Sequence, residues 1–121
     1  MLRTGLKPTG SVFGKRLREA RVRAGLTQDG LGVAIGLDVG PACIRISRYE
    51  SGVHSPSLDV LFALAQELDV PAGYLVTADD ALAERMLRVA ALKPASARRL
   101  DEWLASPKGP VGGVGPGHPG R

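Results

Sequence analysis

Three features of this 121-residue chain predict an all-α fold. Aromatic residues make up only 4% of it, and β-branched residues never form the long alternating run of a half-buried strand. Apolar residues recur instead at helical spacing. The stretches are separated by Gly25, Gly36 and Gly52 and introduced by Ser11, Thr27 and Ser57, residue types that stop and cap helices. The expectation is a five-helix domain followed by two further helices, within the size of one small domain.

Residues 1–10 show no periodicity and read as a flexible basic arm. Ser11 caps a helix running to about Ala24, with Val12, Phe13, Leu17 and Ala20 at helical spacing and Lys15, Arg16, Arg18 and Arg23 mostly elsewhere. Gly25 ends it, and Leu26 is expected to pack beneath the turn. A second helix is expected from Thr27 to about Ile35, with Leu31 and Ala34 inward and Gly36 as its stop. Gly30 and Gly32 inside it each cost about 1 kcal/mol relative to Ala, which makes this helix marginal on its own.

The third helix ends at Gly52 but has two readings at its start. Either the turn after Gly36 is long, or the helix begins early, near Pro41 in a first-turn position. Ser57 caps a fourth helix, with Asp59 well placed against the N-terminal dipole and Leu58, Leu61, Leu64, Ala65 and Leu68 as an inward stripe. Pro71 to Val76 reads as a short fifth helix closed by Tyr74 and Leu75. Asp80 to Leu92 then places Leu82, Met86 and Val89 on one face. After a break at Pro94, Ala95 to Ala105 places Leu100, Trp103 and Leu104 on another. Pro107 to Arg121 holds six Gly and four Pro with only two valines, too little apolar surface to offset ordering, and reads as a disordered tail. The expected boundaries are thus an arm at 1–10, a domain at 11–78, a helical pair at 79–106 and a tail at 107–121.

Charge is unevenly distributed. Residues 1–55 carry nine Lys and Arg against four Asp and Glu, and residues 56–121 carry seven against eight. A basic half suits a polyanionic partner, although charge alone fits a solvated helix face equally well. The single cysteine, Cys43, excludes an internal disulfide framework and has no neighbouring Cys or His with which to hold a metal. It reads as a small buried filler. No stretch resembles a signal peptide or a bilayer span, so a soluble, cytoplasmic protein is expected, with no membrane association. The two histidines lie far apart, and no phosphate loop or framed acidic pair is present. An enzyme is not expected.

Two segments carry the functional signal. Residues 21–28, Arg-Val-Arg-Ala-Gly-Leu-Thr-Gln, read as a helix end, a turn and a second helix start. Residues 46–56, Ile-Ser-Arg-Tyr-Glu-Ser-Gly-Val-His-Ser-Pro, read as a third helix and its stop. Two short helices so joined, with arginines outward, can place a helix in a DNA groove. From Phe13 to Val76 the pattern resembles the XRE (lambda-repressor-like) family of helix-turn-helix transcriptional regulators. The chain departs from that pattern between Gly36 and Ile46, where about four extra residues stand. It also has Gly32 where the family usually shows Ala against the third helix.

Ile46 and Tyr49 are three apart and should face the core, leaving Ile44, Arg45 and Arg48 opposite, flanked by Ser47 and Ser51. Arg45 and Arg48 are base-reading candidates, since an arginine can donate twice to guanine; phosphate contact is their alternative. Ile44 could meet a thymine methyl or pack beneath the extra residues. Thr27 and Gln28 open a helix whose free N–H groups favour a phosphate, and the resemblance implies that role for Gln28. Ser47, Ser51 and His54 are further phosphate candidates, His54 being equally plausible as a surface-loop residue. The resemblance also implies a partly buried ion pair between Arg21 and Glu50.

These readings imply a dimeric repressor that binds double-stranded DNA at a palindromic operator and acts by occluding a promoter. It would need no cofactor and would lie on the nucleoid when bound. Leu82, Met86, Val89, Leu100, Trp103 and Leu104 are the dimer candidates, with folding back onto their own domain as the alternative. The rival function is an antitoxin that covers a toxin with its C-terminal helices and represses its own operon.

Overall fold

The structure, a computed structural model, describes residues 9–109. Among these there are six α-helices, one 3₁₀ turn and no strand: α1 (Thr9–Arg23), α2 (Gln28–Ala34), α3 (Val39–Ser51), α4 (Leu58–Leu68), the 3₁₀ turn (Ala72–Val76), α5 (Asp80–Ala90) and α6 (Pro94–Ala105). The all-helical expectation holds. Most of the expected arm and tail lies outside the described residues, but Thr9 and Gly10 already belong to α1, which therefore starts two residues before Ser11.

One core is built from Phe13, Leu17 and Ala20 of α1, Leu31 of α2, Ile46 and Tyr49 of α3, four residues of α4, Tyr74 and Leu75, and Ala83 of α5. The α1 residues sit four and three apart, which keeps them on one helix face. On that face Gly14 crosses α3 so closely that a β-carbon would overlap the carbonyls of Tyr49 and Glu50. Leu26 packs against the core from beneath the turn.

Helix α2 is short but well capped: the Thr27 hydroxyl accepts the Gly30 N–H at 2.8 Å. Gly32 is buried, and a β-carbon there would lie 2.7 Å from the Ala42 β-carbon, so its small size sets the α2–α3 approach. Ala34 is exposed rather than inward. The inward position one turn beyond Leu31 falls to Ile35, which packs against the core and leaves Ala34 rotated past it.

The extra residues before Ile46 are helical. Helix α3 starts at Val39, ahead of Pro41, whose missing N–H lies in the first turn where no intrahelical acceptor exists. In α4 the Ser57 hydroxyl accepts the Val60 N–H at 3.2 Å, and Leu61, Leu64, Ala65 and Leu68 are buried. Leu58 is 68% exposed, against expectation. It is the first helical residue, and side chains lean toward the helix N-terminus, so it overhangs the end of the core.

Arg16 is 3% exposed, a charged residue inside the fold. Its Nε donates to the Thr77 carbonyl at 2.9 Å, and one terminal nitrogen donates to the Ala78 carbonyl at 3.1 Å and Asp80 Oδ1 at 2.8 Å. The guanidinium also lies 5.9 Å from the centre of the Tyr74 ring. Burial alone would lower its pKa, but hydrogen bonding and charge from Asp80 and Glu19 outweigh burial and raise it. α1 is thereby tied to the start of α5.

Helix α5 buries Ala83 and turns Met86 and Leu87 onto the core, while Leu82 and Val89 stay exposed. The expected Leu82–Met86–Val89 face is therefore split: the Met86 sulfur sits 3.3 Å from Thr77 Oγ1, inside its own domain. This compact unit runs to Ala90, so the boundary drawn between 78 and 79 falls within it. A second unit begins at Ala91 and contains α6. Pro94 occupies its first turn, Leu100 is partly buried, and Trp103 and Leu104 are half exposed.

Candidate nucleic-acid interface

Helices α2 and α3 meet at 109°, within the range of about 90–120° that defines a helix-turn-helix. Gly36 at φ 97° ends α2, and Gly52 at φ 81° ends α3, where the Val53 and His54 N–H groups return to the Arg48 carbonyl.

Two opposed stripes run along α3. Ala42, Ile46 and Tyr49, spaced by four and three, are buried, and Phe13 meets the Tyr49 ring edge-on at 6.0 Å. Ile44, Ser47, Arg48 and Ser51, spaced by three, one and three, are exposed on the opposite side. Ile44 is 51% exposed, so it does not pack beneath the extra residues. The Ser51 hydroxyl donates to the Arg48 carbonyl at 3.2 Å, and His54 is exposed in the following turn. Arg45 belongs to neither stripe. It stands at their border, where one terminal nitrogen donates to the Tyr49 hydroxyl at 2.8 Å.

Behind this face lies a buried polar network. Arg21 donates from Nε to Glu50 Oε2 at 2.6 Å and from a terminal nitrogen to Oε1 at 3.2 Å. Its remaining terminal nitrogen donates to the Leu26 carbonyl at 2.9 Å. The two side chains are only 13% and 6% exposed. Gln28 Nε2 donates to the same Glu50 carboxylate at 3.1 Å, so the amide at the α2 N-terminus is fixed to α3 rather than free. One carboxylate thus joins α1, α2 and α3.

Cys43 is exposed, which corrects the reading of it as a buried filler. Because α3 starts at Val39, Ala42 takes the buried position and Cys43 turns toward Gln28, with its sulfur 3.6 Å from Gln28 Oε1. Sequence reasoning also missed Arg16, since an arginine on a basic helix gives no sign that it will meet backbone carbonyls some sixty residues away.

Among the described residues no group of three or more His, Cys, Asp or Glu could hold a metal ion. No single helix there is long and apolar enough to cross a membrane.

The helix-turn-helix family model matches residues 17–75, which span Leu17 in α1 to Leu75 in the 3₁₀ turn. No curated protein matches the chain. Among solved structures, the crystal structure of the transcriptional regulator BswR matches at 40% sequence identity with a TM-score of 0.73, covering 75% of this chain and 90% of that one. Those matches coincide with the geometry of α2 and α3. The chain belongs to the XRE-type helix-turn-helix family of DNA-binding transcriptional regulators.

Proposed function

We propose that the protein is a sequence-specific repressor that binds a palindromic operator as a homodimer and excludes polymerase from an overlapping promoter. The observation that carries this reading is the exposed Ile44–Ser51 stripe of α3, held rigidly from behind by the Arg21–Glu50–Gln28 network. Arg48 and Ile44 stand at its centre and would read base edges, Arg48 by donating to guanine and Ile44 by meeting a thymine methyl. Arg45 is the third base-reading candidate, at the border of the stripe. Thr27, Ser47 and His54 would hold phosphates on either side, as would Gln28 through the amide hydrogen that Glu50 leaves unused and Ser51 once its hydroxyl turns from the Arg48 carbonyl. The protein would act in the cytoplasm, on nucleoid DNA.

Dimerisation is assigned to the exposed apolar residues beyond the core, Leu82 and Val89 on α5 and Trp103 and Leu104 on α6, together with the partly buried Leu100 of α6. Met86 drops out because it packs inward. A toxin covering the half-exposed Trp103 and Leu104 is the alternative use of α6. Selection of bound sequences from a random DNA pool tests the reading. A palindrome with half-sites about 34 Å apart is expected. Enrichment of a single half-site would remove the dimer, and no enrichment would remove sequence-specific recognition.

A further inference from the structure

Tyr49 is the one residue of the buried α3 stripe that carries a polar tip. The residue is only 4% exposed, and its ring is locked edge-on against Phe13 of α1. Its hydroxyl emerges at the border of the stripe, where it accepts a hydrogen bond from Arg45 at 2.8 Å. The Arg45 guanidinium carbon also lies 5.8 Å from the centre of the same ring. An arginine one helical turn earlier is thus held by a hydrogen bond, with its guanidinium just beyond the ring's hydroxyl edge, to a side chain that cannot move without disturbing the α1–α3 contact. Arg48 has no such side-chain anchor among the described residues.

A guanidinium carries five N–H donors in a planar fork, and the Tyr49 hydroxyl uses one, leaving four for another acceptor. A free arginine loses rotamer freedom when it binds DNA, and an arginine already held loses less. We propose that Tyr49 is a positioning residue for DNA recognition, which orders the Arg45 guanidinium before DNA arrives so that it meets an acceptor of the duplex at the edge of α3. The proposal rests on α3 being the DNA-reading helix. It separates the two arginines: Arg45 is pre-ordered, whereas Arg48 orders on binding.

The test is Tyr49→Phe, which keeps the ring and its packing against Phe13 and removes only the hydroxyl. Affinity for the selected operator should fall roughly two- to tenfold, the range of ordering one long side chain. Melting temperature should stay close to that of the unaltered protein. Arg45→Ala should weaken binding more, and adding Tyr49→Phe to it should cost nothing further. Equal binding by Tyr49→Phe, or a double variant whose losses simply add, would overturn the proposal. Should both variants lose affinity at one operator position alone, the acceptor is a base edge; should the loss be uniform across sequences, it is a phosphate. Both patterns support the positioning role if the two variants share them.

A second measurement needs no DNA. Side-chain ¹⁵Nε relaxation in the free protein should show Arg45 more ordered than Arg48, with that order lost in Tyr49→Phe. Equal mobility of the two arginines would overturn the proposal even where the operator reading stands. Failure of the unaltered protein to bind any DNA would count against the operator reading, and the relaxation result would still decide the contact.

Discussion

Gly14 of α1 lies against the backbone carbonyl of Glu50 in α3 with no space for a β-carbon between them. The obstacle is main chain on both sides, so no side-chain rotation can relieve it. Gly14→Ala should therefore destabilise the fold by about 1–3 kcal/mol despite alanine's better helix propensity, as overpacking does. Chemical denaturation measures this, and a neutral or stabilised variant would show that α1 can slide along α3.

Arg21 and Glu50 form an ion pair that is nearly out of contact with solvent. Truncating either one strands a charge, and each of Arg21→Ala and Glu50→Ala should cost about 3–5 kcal/mol. The double variant should lose much less than the sum of the two. Additive losses would mean that the network does not act as a unit.

Asp80 gives a prediction in acid. The hydrogen bond from Arg16, followed by that from Lys15, holds its carboxyl below the ordinary value of 3.8. The ionised form favours the folded state, so its contribution is complete above the unfolded value and is lost as pH falls through the depressed folded value. The melting-temperature gap between the unaltered protein and Asp80→Asn should thus be steady near neutrality and shrink below about pH 4. A gap that widens on acidification would contradict the assignment.

The Tyr74 hydroxyl is buried with no hydrogen-bond partner among the described residues, and burial pushes its pKa up although the nearby Arg23 opposes the shift. Tyr74→Phe should leave stability unchanged or raise it by up to about 1 kcal/mol, because an unmet desolvation cost disappears. Urea titration decides, and a clear loss of stability would point to a bond from Arg23.

Arg48→Ala should weaken operator binding by about 1–3 kcal/mol and relax preference at one position. Binding by the unaltered protein should fall steeply with added salt, because counterion release gains less entropy as the salt concentration rises. Fluorescence anisotropy across operator variants checks both. A uniform loss would make Arg48 a phosphate contact.

Much of this fold is legible in the sequence where the cause is local. Thr27 and Ser57 cap the helices they precede, Gly36 and Gly52 end theirs, and Ile46 and Tyr49 share a buried side because their spacing demands it. The approach of Arg21 to Glu50, 29 residues apart, is legible only through the family pattern. Arg16 escapes because its partners are carbonyls, which every residue possesses. Ala34, Cys43 and Leu58 escape for another reason: the exposure of residues near helix ends depends on where the helix starts and where its neighbour stops.

The early start of α3 shows which changes of length this protein tolerates. Four added residues advance a helix by about one turn and lengthen it by about 6 Å, so everything after them keeps nearly the same heading. Ala42 consequently continues the side defined by Ile46 and Tyr49, and the stretch from Ile44 to Ser51 still looks outward. An insertion of two residues between Ala42 and Ile46 would rotate the preceding segment by more than half a turn and carry Ala42 away from Gly32. Between Ala42 and Ile46, then, the length of the chain is free to drift only in steps of a whole helical turn.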